Sequence, residues 1–354
     1  MHLLIITQKV DATDSNLGFF VQWIEALSKR MEITVIANEV HRDARGYLAG
    51  NIHIESLGKE RGASRISRFR SYRRLLREHL PKVDGIFFHM CPEYVLAAGM
   101  LPKSFGKKTL LWYVHREVSW RLLGAAFLVD KIFTASEKSC RLQSKKIEVV
   151  GHGIDTKIFS PRAHPSADPS ALRLITVGRI SPVKDIRTLI LGFLNLKKRL
   201  PAVSLRLAIL GEPITESDKR YEAELKGLTA LSPGQFVWGR AHHGNVPEFY
   251  LSVESGRTVF VHASRTGSID KAVLEALAAG LPVFTSSEAF PEEIPGVTKF
   301  REGDSADLAE KIACAFEQGR LVIQEKGRAF VREHHSLEHL ISRISAFFSS
   351  QGDV

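Results

Sequence analysis

Short apolar runs alternate with segments of helical periodicity along most of the chain, and the alternation occurs in two successive series. In the first series the predicted strands are Leu3–Thr7, Ile33–Ala37, Gly85–His89, Thr109–Val114, Lys131–Ala135 and Glu148–Gly151. The predicted helices between them are Phe19–Arg30, Ser64–Glu78, a stretch near Glu93–Met100 and another near Ser119–Phe127. Because strands that alternate with helices build a parallel sheet covered on both faces, this series predicts one α/β domain.

A second series of the same kind starts after residue 170. Its predicted strands are Arg173–Val177, Ser204–Leu210, Gln235–Trp238, Thr258–Val261 and Pro282–Thr285, and its predicted helices are Ile186–Arg199, Asp218–Ala230, Val246–Tyr250 and Asp270–Ala279. The proline-rich segment from Phe159 to Ser170 separates the two series and is the expected linker. The 354 residues therefore predict two domains, 1–160 and 161–334, with a helix at about 335–354 that packs back on the first domain.

The positive charge is concentrated in one segment of a chain whose net charge is +10. Between Lys59 and Lys82, nine basic residues accompany two glutamates. An apolar stripe runs through this segment at helical spacing and consists of Ile66, Phe69, Tyr72, Leu76 and Leu80. This pattern predicts a basic amphipathic helix that is either a solvated surface helix or a contact with anionic lipid headgroups. Nucleic acid is not an expected partner, because no helix-turn-helix, RNA-binding or zinc-finger pattern accompanies the charge.

Cysteine usage and hydropathy indicate the compartment. The three cysteines, Cys91, Cys140 and Cys314, are far apart and form no C-x-x-C pair. This favours a reducing cytoplasm and argues against a disulfide framework or a zinc site. No apolar run approaches the roughly 20 residues that span a bilayer. We therefore expect a cytoplasmic protein, whose basic helix would reach the inner face of the membrane.

The segment LITVGRISPVKD, from Leu174 to Asp185, is the most informative. Gly178 ends a predicted buried strand, where the absence of a side chain lets the backbone approach a ligand closely. Arg179 and Lys184 follow in a short loop, and there they suit a diphosphate, Arg as a planar fork and Lys as a point charge. Taken alone, the segment fits a surface loop with two solvated cations equally well.

A second segment, from His262 to Val283, places small polar residues before a predicted helix and a glycine–proline stop after it. The helix start after Thr266–Ser268 offers free N–H groups and the positive end of the helix dipole, which favour phosphate. Glu275 interrupts an otherwise apolar helix. It is either an exposed helix residue or an acceptor of hydrogen bonds from ribose hydroxyls.

A third segment, from Val149 to Pro161, joins the two series, and the three segments together resemble family 4 of the retaining GT-B glycosyltransferases, the bacterial group 1 glycosyltransferases. The family has a G-hydrophobic-D-x-x-x-F-x-P hinge, a V-G-R-x-x-x-x-K loop, a glycine turn (here near Gly211) and an E-A-hydrophobic-A-x-G-x-P-V helix. All four occur here in order, so the resemblance covers essentially the whole chain. It implies an α/β fold of the GT-B type, with two Rossmann-like domains whose parallel sheets face a central cleft.

The resemblance also implies roles for individual residues. Arg179 and Lys184 would hold the donor diphosphate and His115 would face the transferred sugar, which makes these three the expected catalytic residues. Glu275 would bind the ribose hydroxyls. The other expected donor-binding residues are Gly18, Gly178, Gly211, Gly239, Thr266, Gly267, Ser268, Ile269 and Asp270. His115, like His89 at the end of a similar strand, could equally be ordinary polar lining.

One departure from the family pattern concerns the donor sugar. An E-x7-E arrangement would place a carboxylate eight residues before Glu275, where this chain has Gly267. The contacts to the sugar hydroxyls would then come from the N–H groups of 267–269 or from Asp270. The chain contains no D-x-D sequence, so we expect no metal and no other cofactor. Preorganised cations and helix N–H groups would stabilise the charge on the leaving diphosphate, and attack from the same face would give retention.

The expected function is transfer of a sugar from a nucleotide diphosphate sugar to a carbohydrate or lipid-linked acceptor, in polysaccharide or glycolipid synthesis. A nicotinamide-dependent oxidoreductase would need G-x-G-x-x-G after a strand, and this triplet is missing. A sugar-nucleotide epimerase of the same fold would need an acid cluster that the chain lacks, and a phosphorylase is normally far longer. A non-catalytic protein that binds nucleotide sugars stays open because of Gly267.

Overall fold

The computed structural model describes residues 1–14, 17–41, 50–160, 171–230, 232, 234–240, 246–251, 257–265 and 267–350. Within these residues the strands are β1 (His2–Val10), β2 (Glu32–Val40), β3 (Ile52–Ser56), β4 (Gly85–His89), β5 (Lys108–Trp112), β6 (Lys131–Thr134), β7 (Ile147–Val149), β8 (Ala171–Val177), β9 (Ser204–Leu210), β10 (Phe236–Gly239), β11 (Thr258–His262), β12 (Val283–Thr285) and β13 (Val297–Lys299). The helices are α1 (Phe19–Ser28), α2 (Arg65–His79), α3 (Pro92–Ala98), α4 (Leu101–Ser104), α5 (Trp120–Leu128), α6 (Ile186–Arg199), α7 (Glu216–Thr229), α8 (Val246–Leu251), α9 (Lys271–Ala278), α10 (Ser305–Glu317), α11 (Glu325–His334) and α12 (Leu337–Ser349).

The strands form two sheets in which every described pair is parallel. The first sheet has the order β3-β2-β1-β4-β5-β6-β7, and the second has the order β10-β9-β8-β11-β12-β13. In each sheet the first strand of the series lies inside, and the strand order changes direction beside it. In sheets of this kind, ligands bind at the carboxyl ends of the strands on either side of that change. The predicted α/β class with two parallel sheets is confirmed.

The apolar runs of the sequence become the central strands. Four successive residues of β1, Leu3 to Ile6, are buried on both faces of the first sheet, as expected for a parallel strand covered by helices on both sides. In the second sheet the same role falls to β8, which pairs with β9 and β11. These central strands place the carboxyl-end loops, including the loop that begins at Gly178.

The chain divides into two compact units, Met1–Gly153 with His335–Val354, and Ile154–His334. The final helix α12 packs against α1, and its Arg343 forms an ion pair with Glu148. In the second unit Phe159 packs against Tyr250 with ring centroids 5.6 Å apart. The sequence predicts the domain boundary at residue 160, whereas the structure divides the chain after Gly153. Residues 161–170 of the expected linker lie outside the described residues.

Several elements differ from the expectation. The strands β3 and β13 and the helix α10 were not predicted, and both strands lie at sheet edges, where their half-buried residues leave no continuous apolar run. The apolar stripe of α2 is only partly buried. Tyr72 and Leu76 are enclosed, whereas Ile66 and Phe69 are 67% and 52% exposed. The first turns of this basic helix therefore present apolar side chains to solvent.

Candidate functional site

Three of the predicted glycines lie side by side in the second unit. Gly178, Gly211 and Gly239 stand at the carboxyl ends of the adjacent strands β8, β9 and β10. The N–H of Gly178 donates to the carbonyl of Leu210, and the N–H of Gly211 donates to the carbonyl of Gly239, both at 2.9 Å. A Cβ at Gly211 would lie 1.8 Å from the carbonyl oxygen of Gly178, so only glycine fits there. The three residues form a backbone surface at this edge.

The two predicted cations occupy the loop that follows Gly178. Arg179 is exposed, and its Nε lies 3.9 Å from Asp218, a buried residue in the first turn of α7. Lys184 ends a short 3₁₀ turn, Pro182–Lys184. The next residue, Asp185, has the left-handed conformation, with φ of 41°, and precedes α6. This sharp reversal turns the loop back toward the sheet and places Lys184 near its carboxyl edge.

A half-buried chain of polar contacts holds Lys184. Its Nζ donates to Oδ1 of Asp270 at 2.5 Å. The other oxygen of Asp270 lies 2.8 Å from Nε2 of His262, and the Nδ1 of His262 lies 2.9 Å from the hydroxyl of Thr285. Burial alone would raise the pKa of Asp270, but the charges of Lys184 and His262 lower it far below the ordinary value. Asp270 is therefore an ionised carboxylate at neutral pH.

His262 and Thr285 are site residues that were not predicted from the sequence. Both residues end buried strands, β11 and β12, which pair with each other. Each is a polar residue at the end of an apolar strand, and this feature could have indicated a site residue. The same feature drew attention to His89 in the first unit. The structure adds these two residues to the site, together with Asp218.

The start of α9 lies beside this chain of contacts. Gly267 is buried and has φ of +66°, Ser268 is half-buried, and Ile269 is buried. Asp270 is the capping residue of α9, yet its carboxylate makes no capping hydrogen bond because it faces Lys184 and His262. The Asp270 carbonyl, rather than its carboxylate, accepts hydrogen bonds from the N–H groups of Val273 and Leu274 in the first turn. The predicted donor-binding residue Thr266 lies outside the described residues.

Glu275 is not an exposed helix residue, so that alternative is wrong. Its side chain is 7% exposed, and Oε1 lies 3.3 Å from Nζ of Lys271, one turn earlier on α9. Burial lowers the pKa of Lys271, and the neighbouring Glu275 carboxylate counteracts this. A buried carboxylate with one cationic partner retains acceptor capacity for further donors.

Two predicted residues belong to the first unit. Gly18 is buried at the start of α1, where a Cβ would lie 2.5 Å from the carbonyl oxygen of Asp14. Close packing against its own loop therefore already requires a glycine at this position. His115 lies in the loop after β5 and is exposed, and its Nδ1 accepts a hydrogen bond from the N–H of Glu117 at 3.2 Å.

His89, which was considered beside His115, has a different environment. It is 1% exposed, stacks on Phe20 with ring centroids 3.6 Å apart, and contacts the hydroxyl of Thr7 through Nδ1. Burial, with a contribution from His152, lowers the pKa of His89 to about 3. His89 is therefore a neutral part of the core of the first unit.

Comparison with known proteins finds a family similarity inside the second unit. A family model described as "Glycosyl transferases group 1" matches residues 171–318. This part of the chain is therefore similar to the group 1 glycosyltransferases. The match contains every candidate residue of the second unit, from Gly178 to Glu275, and the strands β8–β13 that position them.

Two curated relatives align with part of this chain. A D-inositol 3-phosphate glycosyltransferase of Pseudarthrobacter chlorophenolicus is 29% identical over 144 residues, which are 39% of this chain and 33% of that protein. A probable sucrose-phosphate synthase of Thermosipho melanesiensis is 28% identical over 149 residues, which are 42% of this chain and 34% of that protein. The aligned segments thus span about a third of each relative.

Solved structures resemble the whole chain. The crystal structure of HepE from Anabaena in complex with UDP has a TM-score of 0.76 and 14% identity, and the match covers 99% of this chain and 100% of that one. HepE in complex with UDP-glucose matches with a TM-score of 0.72 and the same identity and coverage. At this level of identity the likeness shows the fold, which is GT-B. Among the described residues, no helix is both long and apolar enough to cross a membrane.

Proposed function

We propose that this protein is a retaining glycosyltransferase that uses a nucleotide diphosphate sugar as donor and needs no metal ion. The observation that carries the proposal is the juxtaposition of Lys184, Asp270 and the start of α9 at the carboxyl edge of the second sheet. Arg179 lies in the same loop as Lys184. The complexes of HepE with UDP and UDP-glucose support this class of donor for a chain of the same fold.

In the proposed reaction, the bond between the anomeric carbon and the β-phosphate oxygen breaks, and the electron pair leaves with the diphosphate. Arg179, Lys184 and the positive end of the α9 dipole stabilise that negative charge, because they are positioned before the reaction. Lys184 has three N–H donors, so it can keep Asp270 while it binds a phosphate oxygen. The acceptor hydroxyl attacks from the same face and gives its proton to the leaving phosphate oxygen.

Asp270 is the residue proposed to compensate for Gly267. It lies three residues after the position where the family pattern has a carboxylate, and it is ionised and fixed in place by Lys184 and His262. A fixed carboxylate accepts hydrogen bonds from sugar hydroxyls without further ordering. The backbone N–H groups of 267–269 are the second proposed source of contacts to the sugar. A non-catalytic protein that binds nucleotide sugars remains the alternative, and turnover separates the two.

The test is turnover of a panel of nucleotide sugars by Arg179→Ala and Lys184→Ala. Each variant should lose about two orders of magnitude in turnover or more, which corresponds to roughly 3 kcal/mol of transition-state stabilisation. Lys219→Ala is the matched control, because Lys219 is an exposed cation of the same unit that pairs only with Glu216 among its described contacts. Activity should also persist in excess chelator. Near-normal kcat in both loop variants, or chelator inactivation that magnesium or manganese reverses, would overturn the assignment.

The acceptor is proposed to be a carbohydrate or a lipid-linked intermediate, with the protein resting on the anionic inner face of the membrane through its first unit. The exposed Ile66 and Phe69 of the basic helix α2 support this. A second exposed apolar face lies on α5, where Trp120, Leu123 and Phe127 are 68%, 53% and 76% exposed. Exposed aromatic and aliphatic side chains on a helix are typical of helices that lie in a membrane interface.

Cations accompany the apolar face of α5 as well. Nζ of Lys103 lies 6.0 Å from the ring centroid of Phe127, and the guanidinium of Arg121 lies 5.1 Å from the ring of Trp120. Both α2 and α5 pack against α3, so basic and apolar side chains flank the same helix. This combination favours an anionic lipid surface over a second copy of this chain, because two copies would bring like charges together.

A further inference from the structure

The first unit contains a cluster of metal-binding side chains that plays no part in the proposed transfer. His53 and Glu55 lie two residues apart on β3 and therefore point to the same face of this edge strand. His79 lies in the last turn of α2. One potential ligand atom from each of the three residues lies within 4.8 Å of the other two. Two secondary-structure elements that are distant in sequence thus bring together two imidazoles and a carboxylate.

The geometry inside the cluster is close to that of a three-ligand site. Nε2 of His53 lies 2.9 Å from Oε1 of Glu55, and the rings of His53 and His79 have centroids 6.0 Å apart. A tetrahedral site with bonds of about 2.1 Å needs ligand atoms about 3.4 Å apart. The exposed side chain of His53 can rotate to close the remaining distance, because solvent surrounds most of it.

A second observation singles out His79. This residue is 6% exposed, and its Nε2 is buried without a hydrogen-bond partner among the described residues. A buried polar atom without a partner is costly, and it often marks the place of an ion or a water molecule.

We propose that His53, Glu55 and His79 bind a divalent transition-metal ion of the zinc class, which links the edge strand β3 to the end of helix α2. Imidazole nitrogens with one carboxylate oxygen suit zinc, cobalt or nickel, whereas magnesium and calcium require more oxygen ligands. Three protein ligands leave the fourth position to water. The ion stabilises the first unit and takes no part in sugar transfer, since the residues proposed to bind the diphosphate, Arg179 and Lys184, belong to the second unit.

The test is binding of Zn²⁺ to the full chain after dialysis against a chelator, measured by titration calorimetry. Co²⁺ serves as a spectroscopic probe, because its visible absorption reports four-coordinate geometry. We expect one equivalent of metal per chain and a rise in the thermal unfolding temperature. Loss of an outer-shell partner weakens metal sites roughly 10–100-fold, so loss of a ligand in His53→Ala, Glu55→Gln or His79→Ala should weaken binding at least tenfold.

His41→Ala is the matched control. His41 pairs with Glu39 at 3.0 Å in the same way as His53 pairs with Glu55, but the cluster does not include it. His53 is exposed, so His53→Ala tests the site even if the buried His79→Ala variant fails to fold. Equal weakening by His41→Ala or unchanged binding in His53→Ala would overturn the proposal and leave an adventitious ion only. Absence of binding by the unsubstituted protein would overturn it as well. These outcomes are independent of sugar transfer, because none of them measures turnover.

Discussion

At the scale of single residues, the candidate site is organised by buried and half-buried charges that balance one another. Asp270 begins a helix but turns its carboxylate to Lys184 and His262, and Glu275 inside the same helix faces Lys271. A buried charge is tolerated when a partner offsets its loss of hydration. Each carboxylate is therefore fixed in position before any ligand arrives, which is the preorganisation that binding of a polar ligand requires.

Glu275→Gln should raise the donor KM and weaken binding of the nucleoside diphosphate. The substitution removes a charged acceptor for ribose hydroxyls, and a hydrogen bond to a charged group contributes about 1.5–3 kcal/mol, or roughly 10–150-fold in affinity. The measurement is calorimetric titration with UDP and GDP. Lys271→Gln is the matched control, because it breaks the same ion pair but keeps the acceptor. Unchanged affinity in Glu275→Gln, or equal loss in both variants, would assign Glu275 to the structure of α9 alone.

His89 should make the first unit less stable in mild acid. Its pKa is about 3 in the folded protein against an ordinary 6.5, so the unfolded chain binds the proton first as the pH falls. The stability contributed by neutral His89 is complete above pH 6.5 and is lost between pH 6.5 and 3, at about 1.4 kcal/mol per pH unit. His89→Phe keeps an aromatic ring against Phe20 and should remove this slope. The measurement is the free energy of unfolding, from urea denaturation at pH 7.5, 6.0 and 5.0. The same pH dependence in the natural protein and in His89→Phe would contradict the interpretation.

At the scale of elements, helix α2 shows how packing divides a basic amphipathic sequence. Two arginines are engaged within the unit, since Arg68 donates to the side-chain oxygen of Asn38 and Arg73 donates to the carbonyls of Ala97 and Ala98 at the end of α3. Arg70, Arg74 and Arg77 are exposed. The exposed arginines are therefore the ones available to a membrane, and the two engaged ones hold α2 against its neighbours.

Replacing Arg70, Arg74 and Arg77 with Gln should weaken binding to anionic vesicles roughly 100-fold, because each basic residue near an anionic surface contributes about 1 kcal/mol. The matched control removes three charges from the last turn of α6 by replacing Lys197, Lys198 and Arg199 with Gln. Sedimentation with vesicles across a salt series measures both.

The same sedimentation experiment tests whether the exposed apolar side chains of α5 contribute to vesicle binding. Trp120→Ser with Phe127→Ser should remove the part of the binding that persists at high salt, because apolar contacts are not screened. Three outcomes would favour a soluble acceptor. They are no binding to either vesicle type, equal binding of the natural protein to anionic and neutral vesicles, and equal loss of binding in the α6 control.

At the scale of the whole molecule, the two units differ in their similarity to known families and in the surfaces and sites they contain. The family model matches residues 171–318, inside the second unit, and this unit holds the proposed donor site. The first unit, which the model does not match, contains the exposed apolar faces of α2 and α5 and the cluster around His79. The proposed transfer activity therefore rests on residues of the second unit. The proposals on the acceptor, on membrane contact and on metal binding rest on residues of the first unit.

The sequence by itself determined the class of fold and most of its elements. The bounds of β4, β9 and α6 agree with the prediction, because their apolar residues follow the period of the element and local periodicity records burial. Gly178 was predicted from its place at the end of a buried strand, whereas Gly211 and Gly239 were expected from the family resemblance. The edge strands β3 and β13 were missed, since their residues are half-buried and their pattern is too weak to read locally.

Only the tertiary structure decided which side chains meet. Lys184 and Asp270 are 86 residues apart in sequence, and the partner of Asp270, His262, was not recognised as part of the site. Whether Glu275 was exposed or buried, and how much of the α2 stripe was covered, depended on neighbouring elements that no local pattern contains. The physical reason is that periodicity reports which face of an element avoids water, whereas partners and the charges they fix are set by long-range packing of strands and helices.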